Sequence, residues 1–399
     1  MTSFDVRQNP DDDFIERIRS KYPVERTVDK ALTRKMKLRS GPGYAAVDMD
    51  RVHRLLLDFL SRRIEGSFNL SDLHPLSGGA SKEQFVFNLD WIDKGIVKTG
   101  ERMIVRRSPC EASVETDGLR EFQIVKAMEG VVPAPKSYWI DESGEELDRP
   151  SRVYSFVSGV QKPADGVGNT SGIGTHFPPQ LRNDIGNDFV EHLAAIHRFD
   201  PAGSDLSAFD VPMVGTTDGV IRTINWWARV WEEDRLEDVP LMAVAEQWLR
   251  TNAPTLDHVS VIHGDYRSGN FLFDERQKKI TAILDWELAY LGDRHADLAW
   301  AMFDAFSTVD ENGGTLISGL MPREVFLEKY QEKSGLAVDP RRLAYFQILE
   351  LWKGIVLTGA SSARVAYGLK THQNILLGWV ASLAYPMTES LRVLLGKEA

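Results

Sequence analysis

Cysteine is nearly missing: Cys110 stands alone among 399 residues. That excludes an intramolecular disulfide framework and any multi-cysteine zinc or iron-sulfur centre, and it makes the cytoplasm the expected compartment. Positive charge is also short. Lys and Arg number 47 against 58 Asp and Glu, a formal charge of −11, so neither nucleic acid nor an anionic membrane is expected as the main partner, although a local basic pocket is still allowed. No run of about 18 apolar residues occurs, and the opening MTSFDVRQNPDDDFIERIRS has neither the basic start nor the apolar stretch of a signal peptide, so no membrane segment is expected. Fixed-period repeats and low-complexity tracts are absent too. Apolar surface, by contrast, is plentiful. Hydrophobic residues make up 43%, with 10 Trp, 10 Tyr and 18 Phe, which supports a sizeable core and excludes fibrous and disordered classes. The length allows two or three domains, or one enzyme of two lobes about a cleft.

Residues 1 to about 47 are polar and end in SGPGY, the pattern of an N-terminal extension that drapes over a protein and does not fold alone. From Val47, VDMDRVHRLLLDFLSRR puts Val52, Leu55, Leu56, Phe59 and Leu60 on one helical face, with Asp48 or Asp50 as cap. Short strand-like runs follow: EQFVFNL, RMIVRR, SYWI and SRVYSFV. Among them lies one helical segment, LREFQIVKAM, with Leu119, Phe122, Val125 and Met128 at every third position. A first lobe of mostly strands is therefore expected over residues 48–157. The Gly- and Pro-rich SGVQKPADGVGNTSGIGTHFPP marks a connection, with the boundary near residues 155–160. Residues 158–399 then read as a larger helical lobe, broken by the short apolar runs VSVIHGD, NFLFD and ITAILDW. The fold class expected is α+β.

The stretch VIHGDYRSGNFLFDERQKKITAILDWE, residues 261–287, carries three oxygen-bearing residues beside strand-like runs: Asp265, Asn270 and Asp285. Asp and Asn with four residues between them have the spacing of a kinase catalytic loop, in which the Asp meets the substrate hydroxyl and the Asn binds magnesium. Mg²⁺ wants hard oxygen ligands and keeps open positions for phosphate and water, which an Asn and a second Asp at neighbouring strand ends suit. Taken singly, each of the three reads equally well as a turn or cap residue. Their order and setting between two apolar runs favour chemistry.

HGDYRSGNFLF followed by ILDWELAYLGDRHADLAW resembles the aminoglycoside phosphotransferase family, in particular the branch that forms the kinase-like domain of some acyl-CoA dehydrogenases; Arg294 stands where that branch has Pro. The resemblance implies a bilobal protein-kinase-like fold, ATP and Mg²⁺ as cofactors, and transfer of the γ-phosphate to a small-molecule hydroxyl. It makes Asp265 the catalytic base and Asn270 and Asp285 the magnesium ligands, with Asp293 and Asp297 bracing the metal loop. Glu287 is left between a second-metal role and a bracing one. In the first lobe, HPLSGGASKEQFVF offers Gly78, Gly79 and Ser81 as a phosphate-cradling loop, with a hairpin turn as the plain alternative; Lys82 replaces the family's Asn. Arg106, ending the strand MIVRR, fits the cation that holds the ATP phosphates, and Glu121 fits its helix-borne orienter. Arg107 is the competing choice, and strand alternation separates the two. Ser155, Phe156 and Val157 resemble the lobe connection whose backbone meets the adenine edge.

Other features stay open. His263 and His197 read as structural. Trp226, Trp227 and Trp231 fit a core better than an acceptor pocket, and the acids of WEEDRLED suit either a solvated face or a cationic acceptor. The branch favours a hydroxy acid or hydroxyacyl-CoA as acceptor; an aminoglycoside-type antibiotic kinase and a non-catalytic binding module are the alternatives. GxxxxGK[ST], GxSxG and HExxH do not occur, against P-loop NTPases, α/β-hydrolases and zincins, and the extra His ligands of a two-metal phosphatase are lacking.

Overall fold

The computed structural model of the chain describes residues 3–76, 82–93, 95–109, 111–164, 173–371 and 373–398. The first lobe is built on an antiparallel five-stranded sheet: β1 (Asn69–Pro75), β2 (Glu83–Asp93), β3 (Ile96–Arg107), β4 (Ser137–Asp141) and β5 (Ser151–Ser155), in the order β1-β2-β3-β5-β4. Alternation decides which face is dry. Phe85, Phe87 and Leu89 of β2 and Met103 and Val105 of β3 are buried with Val153 against Leu56, Phe59 and Leu60 of the helix Met49–Ser61. Each such side chain contributes about 1.5–3 kcal/mol by leaving water. That helix starts where the sequence places it, with the Asp48 carboxylate accepting from the Arg51 amide.

Three helices precede it: α1 (Ser3–Gln8), α2 (Asp12–Lys21) and α3 (Arg26–Leu38), so Met49–Ser61 is α4. Composition presents this stretch as a polar extension, yet it is helical. Phe14, Ile15 and Ile18 of α2 and Val28, Ala31, Leu32 and Met36 of α3 are buried, all but Ala31 in the core of the second lobe. These apolar positions recur at helical spacing between charges, and the charges dominate the composition.

Helix α5 (Gly118–Met128) follows β3, capped by Asp117, whose carboxylate accepts from the amides of Leu119 and Arg120. The second lobe contains α6 (Pro179–Arg198), α7 (Asp218–Asp234), α8 (Pro240–Thr251), α9 (His295–Ala301), α10 (Arg323–Ser334) and α11 (Pro340–Ile355). The helical reading of residues 341–395 is interrupted: a π-helical turn, Val356–Ser362, comes before α12 (Ala363–Tyr367), α13 (Asn374–Ser382) and α14 (Ala384–Glu398). Two of the small antiparallel pairs among these helices carry the loops of the candidate site. β6 (Ser260–Ile262) pairs with β9 (Tyr290–Gly292), and β7 (Phe271–Asp274) pairs with β8 (Lys279–Ile283). Val160, just past β5, exchanges backbone hydrogen bonds with Phe273 at 3.0 Å, which joins the connecting segment to β7.

Candidate active site

Alternation along β3 separates its two terminal arginines. Arg107 lies on the side of Val105 and Met103 and pairs with Glu83 at 2.8 Å. Arg106 turns the other way, forms an ion pair with Glu121 of α5 at 2.9 Å, and donates to Asp285 of the second lobe at 3.0 Å. Arg152, directly opposite Arg106 in the β3/β5 register, takes the other oxygen of Glu121 at 3.1 Å. Two cations side by side on a sheet would repel, and the shared carboxylate offsets this. Gly118 makes room for it: a Cβ there would lie 2.6 Å from an Arg152 guanidinium nitrogen. Burial works to raise the pKa of Glu121, but Arg106 and Arg152 outweigh it and hold the group below its ordinary value. Burial likewise opposes charge on Arg106, and Glu121, Asp285 and Glu287 more than restore it, so its pKa is raised.

The loop after β6 is held by Asp297 of α9. One of its oxygens accepts from the amide of His263 at 2.7 Å and the other from Gly264 at 2.8 Å, while His197 shares a hydrogen bond with it at 3.1 Å. Sequence reading assigns Asp297 to the metal loop; its bonds are to the Asp265 loop. Gly264 has φ +82°, and a Cβ would lie 2.5 Å from the Leu288 carbonyl oxygen, so only glycine fits. His263 and His197 are fully buried, and burial lowers both pKa values, which keeps them neutral and structural.

That loop presents Asp265 with both oxygens engaged. Oδ1 accepts from Trp300 Nε1 at 2.6 Å and Arg267 Nε at 2.8 Å; Oδ2 accepts from Asn270 Nδ2 at 2.6 Å. The Asn270 amide nitrogen also donates to the Asp265 carbonyl at 2.9 Å, and its side-chain oxygen has no hydrogen bond among the described residues. Asp285 stands next to Asn270, because the Leu284 amide donates to the Asn270 carbonyl at 2.8 Å where β7 and β8 pair. Asp285 is left-handed, φ +67° and ψ 50°, a conformation costing a non-glycine residue about 1–3 kcal/mol. Its Oδ1 takes Arg106, and its Oδ2 is left without a hydrogen bond among the described residues.

No cluster of three His, Cys, Asp or Glu side chains is gathered for a metal among the described residues. The candidate ligands are instead one amide oxygen and one carboxylate, a pair that fits a hard cation bringing its own water and phosphate oxygens. Glu287 is taken by Lys82, whose ammonium lies 3.0 Å away and 3.4 Å from Thr116 Oγ1. Burial and the neighbouring Asp285 raise the Glu287 pKa against the pull of Lys82.

Gly78, Gly79 and Ser81 lie outside the described residues. Ser155 ends β5, with its amide given to the Lys136 carbonyl; the Phe156 amide goes to the Arg102 carbonyl, both at 2.9 Å. The Val157 amide donates to nothing among the described residues. Trp226 and Trp227 stack at 5.0 Å inside the core. Three acids of WEEDRLED are taken by cations away from this cleft: Glu233 and Asp234 are buried against Lys35, and Glu232 pairs with Arg7 and Arg235. Sequence reasoning missed Arg152, Trp300 and Arg267 as partners of the site. Only for Arg267, two positions after Asp265, was there a nearby signal.

A family model described as the phosphotransferase enzyme family matches residues 72–344. Acyl-CoA dehydrogenase family member 11 of Homo sapiens is 28% identical over 282 residues, covering 64% of this chain and 35% of that protein. The chain spans about a third or less of the curated relatives that head the comparison, 16% to 35% of their length. A proposed aminoglycoside phosphotransferase from Ralstonia eutropha superposes with a TM-score of 0.63 at 20% identity, over 86% of this chain and 98% of that one. A thermostable mutant aminoglycoside phosphotransferase, solved in ternary complex with ADP and hygromycin B, superposes with a TM-score of 0.51 at 17% identity, over 84% and 97% of the two chains. At such identities the likeness is one of fold, the two-lobed kinase-like α+β architecture.

Proposed function

Since the chain belongs to the phosphotransferase enzyme family, we propose that it transfers the γ-phosphate of ATP, with Mg²⁺, to a hydroxyl of a small molecule, a hydroxy acid or hydroxyacyl-CoA being favoured. One observation carries this: Arg106, oriented by Glu121, meets Asp285 across the cleft, and Asn270, beside Asp285, is bonded to Asp265. Residues 48–157 form the nucleotide lobe and 158–399 the catalytic lobe, with the adenine edge against the backbone of Ser155, Phe156 and Val157, of which Val157 has an amide without a hydrogen bond among the described residues. Mg²⁺, held by the Asn270 side-chain oxygen and Asp285, supplies charge neutralisation at the phosphates. Arg106 holds the phosphate oxygens, and Asp265 orients the acceptor hydroxyl and takes its proton as the new O–P bond forms and the bond to ADP breaks. The transition state is loose, so positioning and electrostatics do most of the work.

Two features support an acidic acceptor over a polycationic aminoglycoside. Glu232, Glu233 and Asp234 of α7 are occupied by cations of the same chain, and Arg267 sits beside the Asp265 carboxylate. A purely regulatory module is disfavoured because base, metal ligands, cation and orienter are all chemically competent. The single cysteine suits action in the cytoplasm. The test is Mg²⁺-dependent ADP release across hydroxy acids, hydroxyacyl-CoAs, phenols, sugars and aminoglycosides, with Asp265→Asn alongside. Asp265→Asn is expected to keep ATP affinity and lower transfer by about 10³-fold or more. An unimpaired mutant removes Asp265 from catalysis, and absence of ATP binding removes the kinase reading.

A further inference from the structure

Beneath the Asp265 loop lies a buried charge pair that the reaction above does not use. Lys353 and Glu350, one turn apart on α11, are each about 2% exposed and pair at 2.8 Å. The Lys353 ammonium does more than neutralise Glu350. It donates to the Gly264 carbonyl at 2.6 Å, the peptide immediately before Asp265, and it sits over the Trp300 ring, 4.3 Å from the centroid. Trp300 in turn donates its indole N–H to Asp265 Oδ1 at 2.6 Å. A single cation thus reaches Asp265 by two routes: through the backbone that carries it, and through the ring that bonds its side chain.

Burying an ammonium is expensive, and a hydrophobic residue of similar length would pack the same space without that cost. A contact to a backbone carbonyl together with a cation–π contact spends the charge on geometry, since both weaken steeply with displacement. We propose that Lys353 is a positioning residue for Asp265, setting the carboxylate against the acceptor hydroxyl by fixing both the Gly264 peptide and the Trp300 ring. This rests on the kinase reading for the part Asp265 plays, but the placement itself is a property of the loop. A misplacement of about 1 Å at a reacting group costs on the order of 100-fold in rate.

The variant to make is Lys353→Met, with Glu350→Gln/Lys353→Met as its partner. Burial already pushes the Glu350 carboxyl up to about 7, so it can stay neutral when its cation is removed, and the double variant removes both charges at once. Two readouts are taken on the full chain. Amide hydrogen exchange over residues 263–268 is expected to rise by about tenfold or more in both variants, with the rest of the second lobe unchanged. Turnover is expected to fall by about 10- to 100-fold while ATP affinity stays within about twofold, the split expected of a group acting only on the chemical step. Wild-type exchange over 263–268 in a folded double variant overturns the proposal, as does wild-type turnover. If the wild-type protein itself turns over no ATP with any acceptor, the kinase reading falls, and the exchange data still decide whether Lys353 holds the loop.

Discussion

Arg106 donates to Asp285 at 3.0 Å, a bond between the penultimate residue of β3 in one lobe and the second residue past β8 in the other. It neutralises one oxygen of the carboxylate proposed to serve a cation. Nucleotide phosphates would draw on Arg106 and so release that oxygen, which couples metal to nucleotide.

Asp285→Ala is therefore expected to reduce ATP affinity by about tenfold or more when Mg²⁺ is present and to have little effect in its absence. Arg106→Gln should weaken ATP under both conditions, because it removes the proposed phosphate contact. Calorimetric titration with and without Mg²⁺ reads both; an Asp285→Ala affinity unchanged in Mg²⁺ contradicts the metal assignment.

Gly118→Ala forces a methyl to within 2.6 Å of the Arg152 guanidinium and should displace it from Glu121. The expected loss is about 1–3 kcal/mol in urea unfolding, the usual range for overpacking. A weaker ATP affinity should accompany it, because Glu121 also orients Arg106. Arg152→Met should reproduce the affinity loss without the steric clash.

Arg39 of the N-terminal segment bonds Glu111 at 2.8 Å and Asp234 at 2.6 Å, all three nearly fully buried. It ties the segment leading into α5 to the end of α7. Arg39→Met leaves two buried carboxylates short of a partner and should cost about 3–5 kcal/mol. Chemical denaturation measures this, and a loss under about 1 kcal/mol would show that the network is dispensable.

Asp29 lies between Arg19 and Arg229 at 2.6 Å from each. The Arg19 hydrogen bond, with Arg229 adding to it against the effect of burial, holds its carboxyl at about 2, where the ordinary value is 3.8. Below 3.8 the unfolded chain binds a proton that the folded one does not. The stabilisation is thus complete above pH 3.8 and is lost as pH falls toward 2. Thermal midpoints between pH 5 and 2 should drop more steeply for the wild type than for Asp29→Asn; parallel curves would rule this out.

Much of the fold was legible because its signals are local. The helical face of Val52, Leu56, Phe59 and Leu60, the alternation around Val105, and the spacing of Asp265, Asn270 and Asp285 all lie within short windows. Helices α2 and α3 were masked by their charges: Ile15, Ile18, Leu32 and Met36 keep a helical spacing, but the lobe they bury against lies far along the chain, and only the tertiary contact shows what covers that face. The same holds for Arg152, whose strand pattern says nothing of a carboxylate on a different element.

The sequence by itself determined α4, α5 and strands β2 to β5, the order of the motif residues, and which of two adjacent arginines shares a face with Val105, because a strand repeats every two residues and a helix every 3.6. Tertiary structure alone decided the partners. Lys353 under Gly264, Trp300 on Asp265 and Arg39 between Glu111 and Asp234 join residues 35 to 195 positions apart. Buried charges and donors must find whatever partner the packed core brings within reach, and that core is a property of the whole chain.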